Sequence, residues 1–151
     1  MQDNIRNGPT EAQEDEFALC VASLCSPYLG WWFPRSAGLF ERYLTFRDVP
    51  DADLAQWKSA FVTLAQKLSL RYARPLVFKS PTHTCRIKLL LELFPDARFV
   101  HIHRDPYIVF QSMRRLFHTA IAASRLQVTN ERDIDEQILR TGATMYERFF
   151  A

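Results

Sequence analysis

The sequence predicts an α/β domain with a parallel sheet that is incomplete in this chain and rich in helix. Two apolar runs, at 76–78 and 98–103, are typical of short buried strands, and a helical pattern separates them. The order strand–helix–strand–helix over residues 76–126 indicates a right-handed crossover unit. Because a two-stranded parallel sheet is not stable alone, we expect neighbouring strands to be missing from the chain or supplied by another molecule.

Six helices are predicted from the spacing of apolar residues and from capping residues. The longest begins at Asp51 or Asp53, either of which is a good N-cap, and places Trp57 and Phe61 on its apolar face. Pro95 ends the helix before the second strand, and Pro106 begins the helix after it. The predicted helices cover residues 11–25, 36–45, 51–72, 82–94, 106–126 and 133–150.

Composition predicts one ordinary soluble domain. The 151 residues are 48% apolar and 24% charged, and the apolar runs are shorter than the ~18 residues that a membrane span needs. The acidic N-terminus is unlike a secretory signal, and a net charge of +2 argues against a nucleic-acid-binding protein. Three cysteines without metal-ligand spacing, Cys20, Cys25 and Cys85, indicate reduced thiols and a cytoplasmic location.

Positive charge is concentrated in residues 79–125. This segment holds eight Lys or Arg residues against three acidic ones, whereas the regions on either side are slightly negative. An anionic ligand explains this distribution, and a solvated basic helix face explains it equally well.

The sequence Arg104-Asp105-Pro106 follows the second predicted strand directly. Asp105 is a good N-cap and Pro106 fits the first helical turn, so the arginine precedes a helix N-terminus. Unpaired N–H groups and a forked guanidinium bind phosphate well, and Ser112 lies about two turns further along. We therefore expect an anion site at this turn.

Lys79 and Ser80 end the first predicted strand in the same way. Ligands of open parallel sheets bind beyond the carboxyl ends of the strands. If the two strands are neighbours, Lys79, Ser80 and Arg104 face one crevice, which suits a ligand with several anionic groups.

Three stretches together resemble the bacterial sulfotransferases. They are Leu76 to Ile87, Leu90 to Val100, and His103 to Pro106 with Ser112; residues 9–19 are similar to the acidic helix start of that family. The resemblance implies a P-loop-like three-layer fold and 3′-phosphoadenosine 5′-phosphosulfate (PAPS) as donor. It places Arg104 and Ser112 at the 3′-phosphate and Lys79 near the donor sulfate, with Ser80 beside Lys79 as a further candidate for binding the donor.

His83 is the candidate base for the proton that the acceptor loses. Some sulfotransferases carry a histidine two residues after the lysine, whereas His83 comes four residues after Lys79. A histidine that caps or packs against the next helix is the alternative. His101 and His103 alternate onto one strand face without a third ligand, so packing is favoured and no metal site is predicted.

The family's phosphosulfate loop, Pro-Arg/Lys-Ser-Gly-Thr-Thr, is not recognisable here. The nearest string, Phe33 to Leu39, lacks both threonines and has Ala37 in place of a glycine. We therefore expect the loop upstream of Met1 and the C-terminal part of the domain beyond residue 151, so that the chain is the middle of one sulfotransferase domain. A P-loop kinase is disfavoured because no Gly-x-x-x-x-Gly-Lys-Ser/Thr occurs.

Two functions remain after this comparison. The first is a sulfotransferase that acts on a hydroxyl or amine of a small-molecule or glycan acceptor. The second is a non-catalytic remnant that binds the nucleotide or another protein. The sequence leaves the acceptor and the oligomeric state open.

Overall fold

A computed structural model describes residues 11–151, so Pro9 and Thr10 of the similarity above lie outside the described residues. Within 11–151 the chain forms eight α-helices joined by turns and irregular segments, and 3-10 turns cover Pro34–Ser36 and Pro81–Cys85. None of the described helices is long and apolar enough to cross a membrane. The helices are α1 (Asp15–Ser23), α2 (Leu29–Trp32), α3 (Ala37–Thr45), α4 (Asp51–Tyr72), α5 (Ile87–Leu93), α6 (Pro106–Leu116), α7 (Ala122–Ser124) and α8 (Glu131–Phe150).

The predicted α/β class, a P-loop-like three-layer fold with a parallel sheet, is wrong for the described residues, which are helical without a sheet. Residues 76–78 and 98–103 have no regular secondary structure, and no β-strand occurs among residues 11–151. Val77 is 93% exposed and Val100 is 90% exposed, so the apolar runs do not form a buried layer. A strand exists only by pairing its backbone groups with a neighbour, and the described chain supplies no neighbour for either run.

Most of the helix predictions are confirmed. Helices α1, α3, α4 and α8 fall within the expected ranges or within two residues of them. The segment predicted at 82–94 divides into the 3-10 turn Pro81–Cys85 and α5. The segment predicted at 106–126 contains a π-helical turn, Phe117–Ile121, between α6 and α7.

The larger core lies between α1, α4 and the segment that contains α5. Trp57 and Phe61 of α4 are 0% and 1% exposed and are in edge contact with each other, with ring centroids 5.4 Å apart. This confirms the apolar face predicted for α4. The buried members of this core are Leu19, Cys25, Phe46, Trp57, Phe61 and Leu90.

A second, smaller core joins α6 to α8. Phe117 and Ile121 of the π-helical turn pack against Ile134 and Ile138 of α8. A π-helical turn is wider than an α-helical one and leaves some backbone carbonyls without an intrahelical N–H donor. The Phe117 carbonyl instead accepts a hydrogen bond from the Arg125 guanidinium at 3.0 Å. This packing holds α6, and the residues that precede it, against the rest of the domain.

Candidate functional site

Asp105 begins α6 as the sequence predicts. Its carboxylate accepts hydrogen bonds from the backbone N–H groups of Tyr107 at 2.8 Å and Ile108 at 3.2 Å, and Pro106 occupies the first turn. The N-cap prediction for this helix is confirmed. The cap fixes the point at which the chain turns from Arg104 into α6.

The cap also uses the N–H groups that the sequence analysis assigned to an anion. Pro106 has no N–H, the next two N–H groups bind Asp105 Oδ1, and the Val109 N–H donates to the Asp105 carbonyl at 3.0 Å. A ligand at this turn therefore meets side-chain donors rather than free backbone donors.

Arg104 and Ser112 are both exposed to solvent. Within residues 11–151 neither side chain forms a hydrogen bond or ion pair, so the guanidinium and the hydroxyl are available to a ligand. Phe110 and Met113 turn the opposite side of α6 toward the second core. Ser112 lies on the outer side, ~11 Å along the axis from the Asp105 end, so joint binding of one phosphate requires Arg104 to lie along the helix.

Lys79 and Ser80 lead into the 3-10 turn Pro81–Cys85. Ser80 is buried, in an extended conformation, and its hydroxyl lies 3.1 Å from the Thr82 hydroxyl. The lysine before it is 72% exposed. The turn therefore presents Lys79 to solvent and keeps Ser80 inside.

Three consecutive acidic residues at the start of α1 bind the segment 79–86. Glu14 pairs with Lys79, Asp15 with His83 and Glu16 with Arg86. We call Glu14, Asp15 and Glu16 the acidic triplet. The basic partner is 72% exposed in the first pair, 13% in the second and 0% in the third, so the pairs run from the surface into the core.

Glu14 is shared between Lys79 and Tyr28. Its Oε1 accepts from the Lys79 ammonium, and its Oε2 accepts from the Tyr28 hydroxyl at 2.7 Å. Burial, reinforced by the adjacent Glu14 charge, raises the pKa of Tyr28 far above its usual value. The phenol therefore stays protonated and remains a donor to the carboxylate.

His83 is enclosed on several sides. Its Nε2 lies 2.8 Å from Asp15 Oδ2, a close polar contact that lacks hydrogen-bond geometry. Phe61 stacks on the imidazole with the centroids 5.7 Å apart and the planes 9° apart. A role as acceptor base requires the ring to leave this position.

Arg86 and Glu16 form the buried end of the series. Arg86 Nη1 donates to Glu16 Oε2 at 2.6 Å, and the other carboxylate oxygen accepts from the Ser26 hydroxyl at 2.6 Å. The Thr82 hydroxyl also donates to Glu16, at 2.9 Å. These bonds anchor the 3-10 turn that carries Lys79 to the first turn of α1.

The two groups of predicted site residues remain separate. In the described part of the chain, no hydrogen bond or ion pair joins Lys79, Ser80 and His83 to Arg104 and Ser112. The sheet expected to align them is not formed. Three of the eight Lys or Arg residues in 79–125 form ion pairs within the fold: Lys79, Arg86 and Arg114, the last with Glu131 and Asp135.

The weaker sequence candidates have ordinary structural roles. Arg35 of the loop-like string lies in the 3-10 turn Pro34–Ser36 and donates to the Val128 carbonyl at 3.3 Å. His101 stacks on Phe149 with the ring centroids 4.2 Å apart. Among residues 11–151 no group of three or more possible ligands surrounds a metal position.

Sequence reasoning missed the partners of the acidic triplet. It recognised the acidic helix start but treated it as helix-dipole chemistry and family similarity. The usable signal is the matching order of three acids at 14–16 and three bases at 79, 83 and 86. That order does not by itself specify which pairs form across more than sixty residues.

The structure thus presents an exposed arginine before a capped helix and an exposed lysine at a second turn. Comparison with known proteins identifies the class of protein. The sulfotransferase family matches residues 32–151. The chain belongs to this family.

Two curated relatives are similar over nearly the whole chain. Each is an omega-hydroxy-beta-dihydromenaquinone-9 sulfotransferase, one from Mycobacterium bovis and one from Mycobacterium tuberculosis. Each is 36% identical over 146 residues, which is 97% of this chain and 38% of the relative. The chain thus spans well under half the length of these proteins. No solved structure matches it.

Proposed function

We propose that this chain is part of an enzyme that transfers a sulfuryl group from PAPS to an acceptor. Membership of the sulfotransferase family is the observation that carries the proposal. Arg104 and Ser112 bind the 3′-phosphate, and Lys79 lies near the donor sulfate. The available guanidinium of Arg104, next to a helix fixed by Asp105, suits a phosphate ligand.

Sulfuryl transfer requires no covalent intermediate on the protein. Sulfuryl transfer resembles phosphoryl transfer, in which in-line positioning and cationic stabilisation of the leaving group dominate. Lys79 supplies that cation at the leaving phosphate. Ser80 contributes a donor when its hydroxyl turns away from Thr82, and His83 takes the acceptor's proton when its ring leaves Asp15 and Phe61.

A hydroxyl acceptor is favoured over an amine. Both mycobacterial relatives are named for a hydroxylated quinone substrate, and their similarity covers 97% of this chain. A hydroxyl-bearing small molecule is therefore the proposed acceptor class. The proposal includes a cytoplasmic location, supported by three cysteines that form no disulfide.

Calorimetry with adenosine 3′,5′-bisphosphate tests the donor site. We expect the Arg104→Ala variant to bind this nucleotide about 30-fold more weakly, a loss of ~2 kcal/mol, because one phosphate loses its charged partner. Arg98→Ala is the matched control, since Arg98 is also exposed and its removal changes the net charge equally. Equal affinities for the two variants would refute the assignment of Arg104.

The non-catalytic alternative makes a different prediction for the same protein. If the protein is a non-catalytic remnant, it still binds the nucleotide and Arg104→Ala still weakens that binding. It does not, however, transfer labelled sulfate to a hydroxylated acceptor. The short span of the chain, 38% of its relatives, is the observation that keeps this alternative in view. Transfer above the rate without protein excludes it.

A further inference from the structure

The Lys79 ammonium extends outward from a fixed carboxylate. The Lys79 side chain is 72% exposed, whereas Glu14 is 23% exposed. Glu14 binds Lys79 through one oxygen and the Tyr28 hydroxyl through the other. The position of the carboxylate therefore depends on Tyr28 as much as on the lysine.

Tyr28 is a rigid anchor for that carboxylate. It is 4% exposed, its ring stacks on Trp31 with centroids 3.9 Å apart, and Phe17 meets its ring in edge contact at 5.1 Å. A phenol held on both sides keeps its hydroxyl in one place. Glu14 is then fixed by a group that has almost no freedom to move.

A lysine held in this way is prepared to bind an anion. An ammonium group has three donors, and Glu14 uses one of them while the exposed side of Lys79 leaves the others open. A free lysine side chain loses considerable rotamer entropy when it is ordered by a ligand, and a lysine that is already held loses less. The pair therefore lowers the entropic cost of contacting a donor phosphate.

We propose that Glu14 is a positioning residue for Lys79. Anchored by Tyr28, it holds the ammonium where the 5′ phosphosulfate of the donor binds. The inference rests on the proposed function, since it assigns Lys79 to the 5′ end of that donor.

A purely structural role for this ion pair is disfavoured by its neighbours. Asp15–His83 and Glu16–Arg86 already join α1 to the segment 79–86, and both pairs are far more buried than the Lys79 pair. A largely exposed ion pair adds little to stability. The distinct effect of Glu14 is therefore on where the Lys79 ammonium lies.

Site-resolved acetylation of lysines, measured by mass spectrometry, tests the arrangement in the free protein. We expect Glu14→Gln to raise the labelling rate of Lys79 about two- to fivefold relative to Lys67, the range for a partly exposed ion pair. Lys67 is exposed on α4 and serves as the reference. Lys58, which pairs with Glu92 at 2.8 Å, reports intact folding and keeps its rate. An unchanged Lys79 ratio overturns the proposal.

Nucleotide protection then tests the link to the donor. In the parent protein, adenosine 3′,5′-bisphosphate lowers the labelling of Lys79, and adenosine 3′-monophosphate, which lacks the 5′ group, leaves it unchanged. At equal occupancy the bisphosphate protects Lys79 less in Glu14→Gln than in the parent, a difference that an ion pair with only a structural role does not produce. If calorimetry shows that the bisphosphate binds but Lys79 is not protected, the inference about Glu14 and Lys79 is overturned and the proposed function stands. Absence of binding to the parent chain refutes the proposed function and the inference together.

Discussion

Replacing Glu16 by Gln tests the buried network that fixes the Lys79 turn to α1. Glu16 is 0% exposed and accepts hydrogen bonds from the hydroxyls of Ser26 and Thr82 as well as from the Arg86 guanidinium. The amide has nearly the same shape as the carboxylate, so the substitution removes charge with little change in volume. It leaves the charge of Arg86 buried without an anionic partner.

The expected destabilisation follows from that unpaired charge. Removing one partner of a buried ion pair costs about 3–5 kcal/mol. Arg86 keeps some compensation, because it also donates to the carbonyls of Leu44 at 3.1 Å and Tyr43 at 2.6 Å. Its guanidinium further lies 4.9 Å and 5.0 Å from the ring centroids of Phe46 and Trp57. We therefore expect the low end, ~3 kcal/mol of lost unfolding free energy.

Urea unfolding followed by circular dichroism measures this loss. Glu92→Gln is the matched control, because it removes the same charge from the exposed pair with Lys58 and should cost less than ~1 kcal/mol. If Glu16→Gln loses no more than the control, the network does not carry the stability assigned to it. A double variant, Glu16→Leu with Arg86→Met, should recover part of the loss, since it buries no lone charge.

Two further predictions concern the start of α6 and the thiols. Asp105→Ala should lower the free energy of unfolding in urea by ~1 kcal/mol, because two backbone N–H groups lose their acceptor. Replacing the exposed Asp96 by Ala is the control and should cost less; equal losses would contradict the role of Asp105 as the N-cap. Burial raises the pKa of Cys85 to about 11, so its thiol should be alkylated at pH 8 about 100-fold more slowly than an exposed thiol with an unperturbed pKa of 9.0. Rapid alkylation of Cys85 in the folded protein would contradict this environment.

The helices were predictable because their signals are local. Apolar residues at helical spacing placed α4 and its buried residues Trp57 and Phe61, and the Asp105-Pro106 pair placed the start of α6. The helix ends were less predictable. Leu24, Phe46 and Ala73 follow α1, α3 and α4 with φ of 55°, 55° and 45°, a conformation that usually indicates glycine in a sequence.

The absence of the sheet could not be predicted, because strand pairing depends on non-local partners. The runs at 76–78 and 98–103 have strand-like composition, yet a strand also needs a partner for its backbone groups. Composition alone does not distinguish a strand with a partner from a segment without one. Among residues 11–151 neither segment pairs as a strand, and the side chains of Val77 and Val100 are exposed.

The acidic triplet explains why the basic residues of the segment 79–86 are not equally available to a ligand. Arg86 is bound to Glu16 in the core, where breaking the ion pair is costly, and His83 lies against Asp15. Lys79 is by far the most exposed of the three basic residues, and its ammonium can be shared between Glu14 and an anionic ligand. The two inner pairs therefore fix the backbone, and the outer pair sets the position of one exposed ammonium group. A charge count of the segment overstates its capacity to bind anions, because the same residues first have to hold the turn in place.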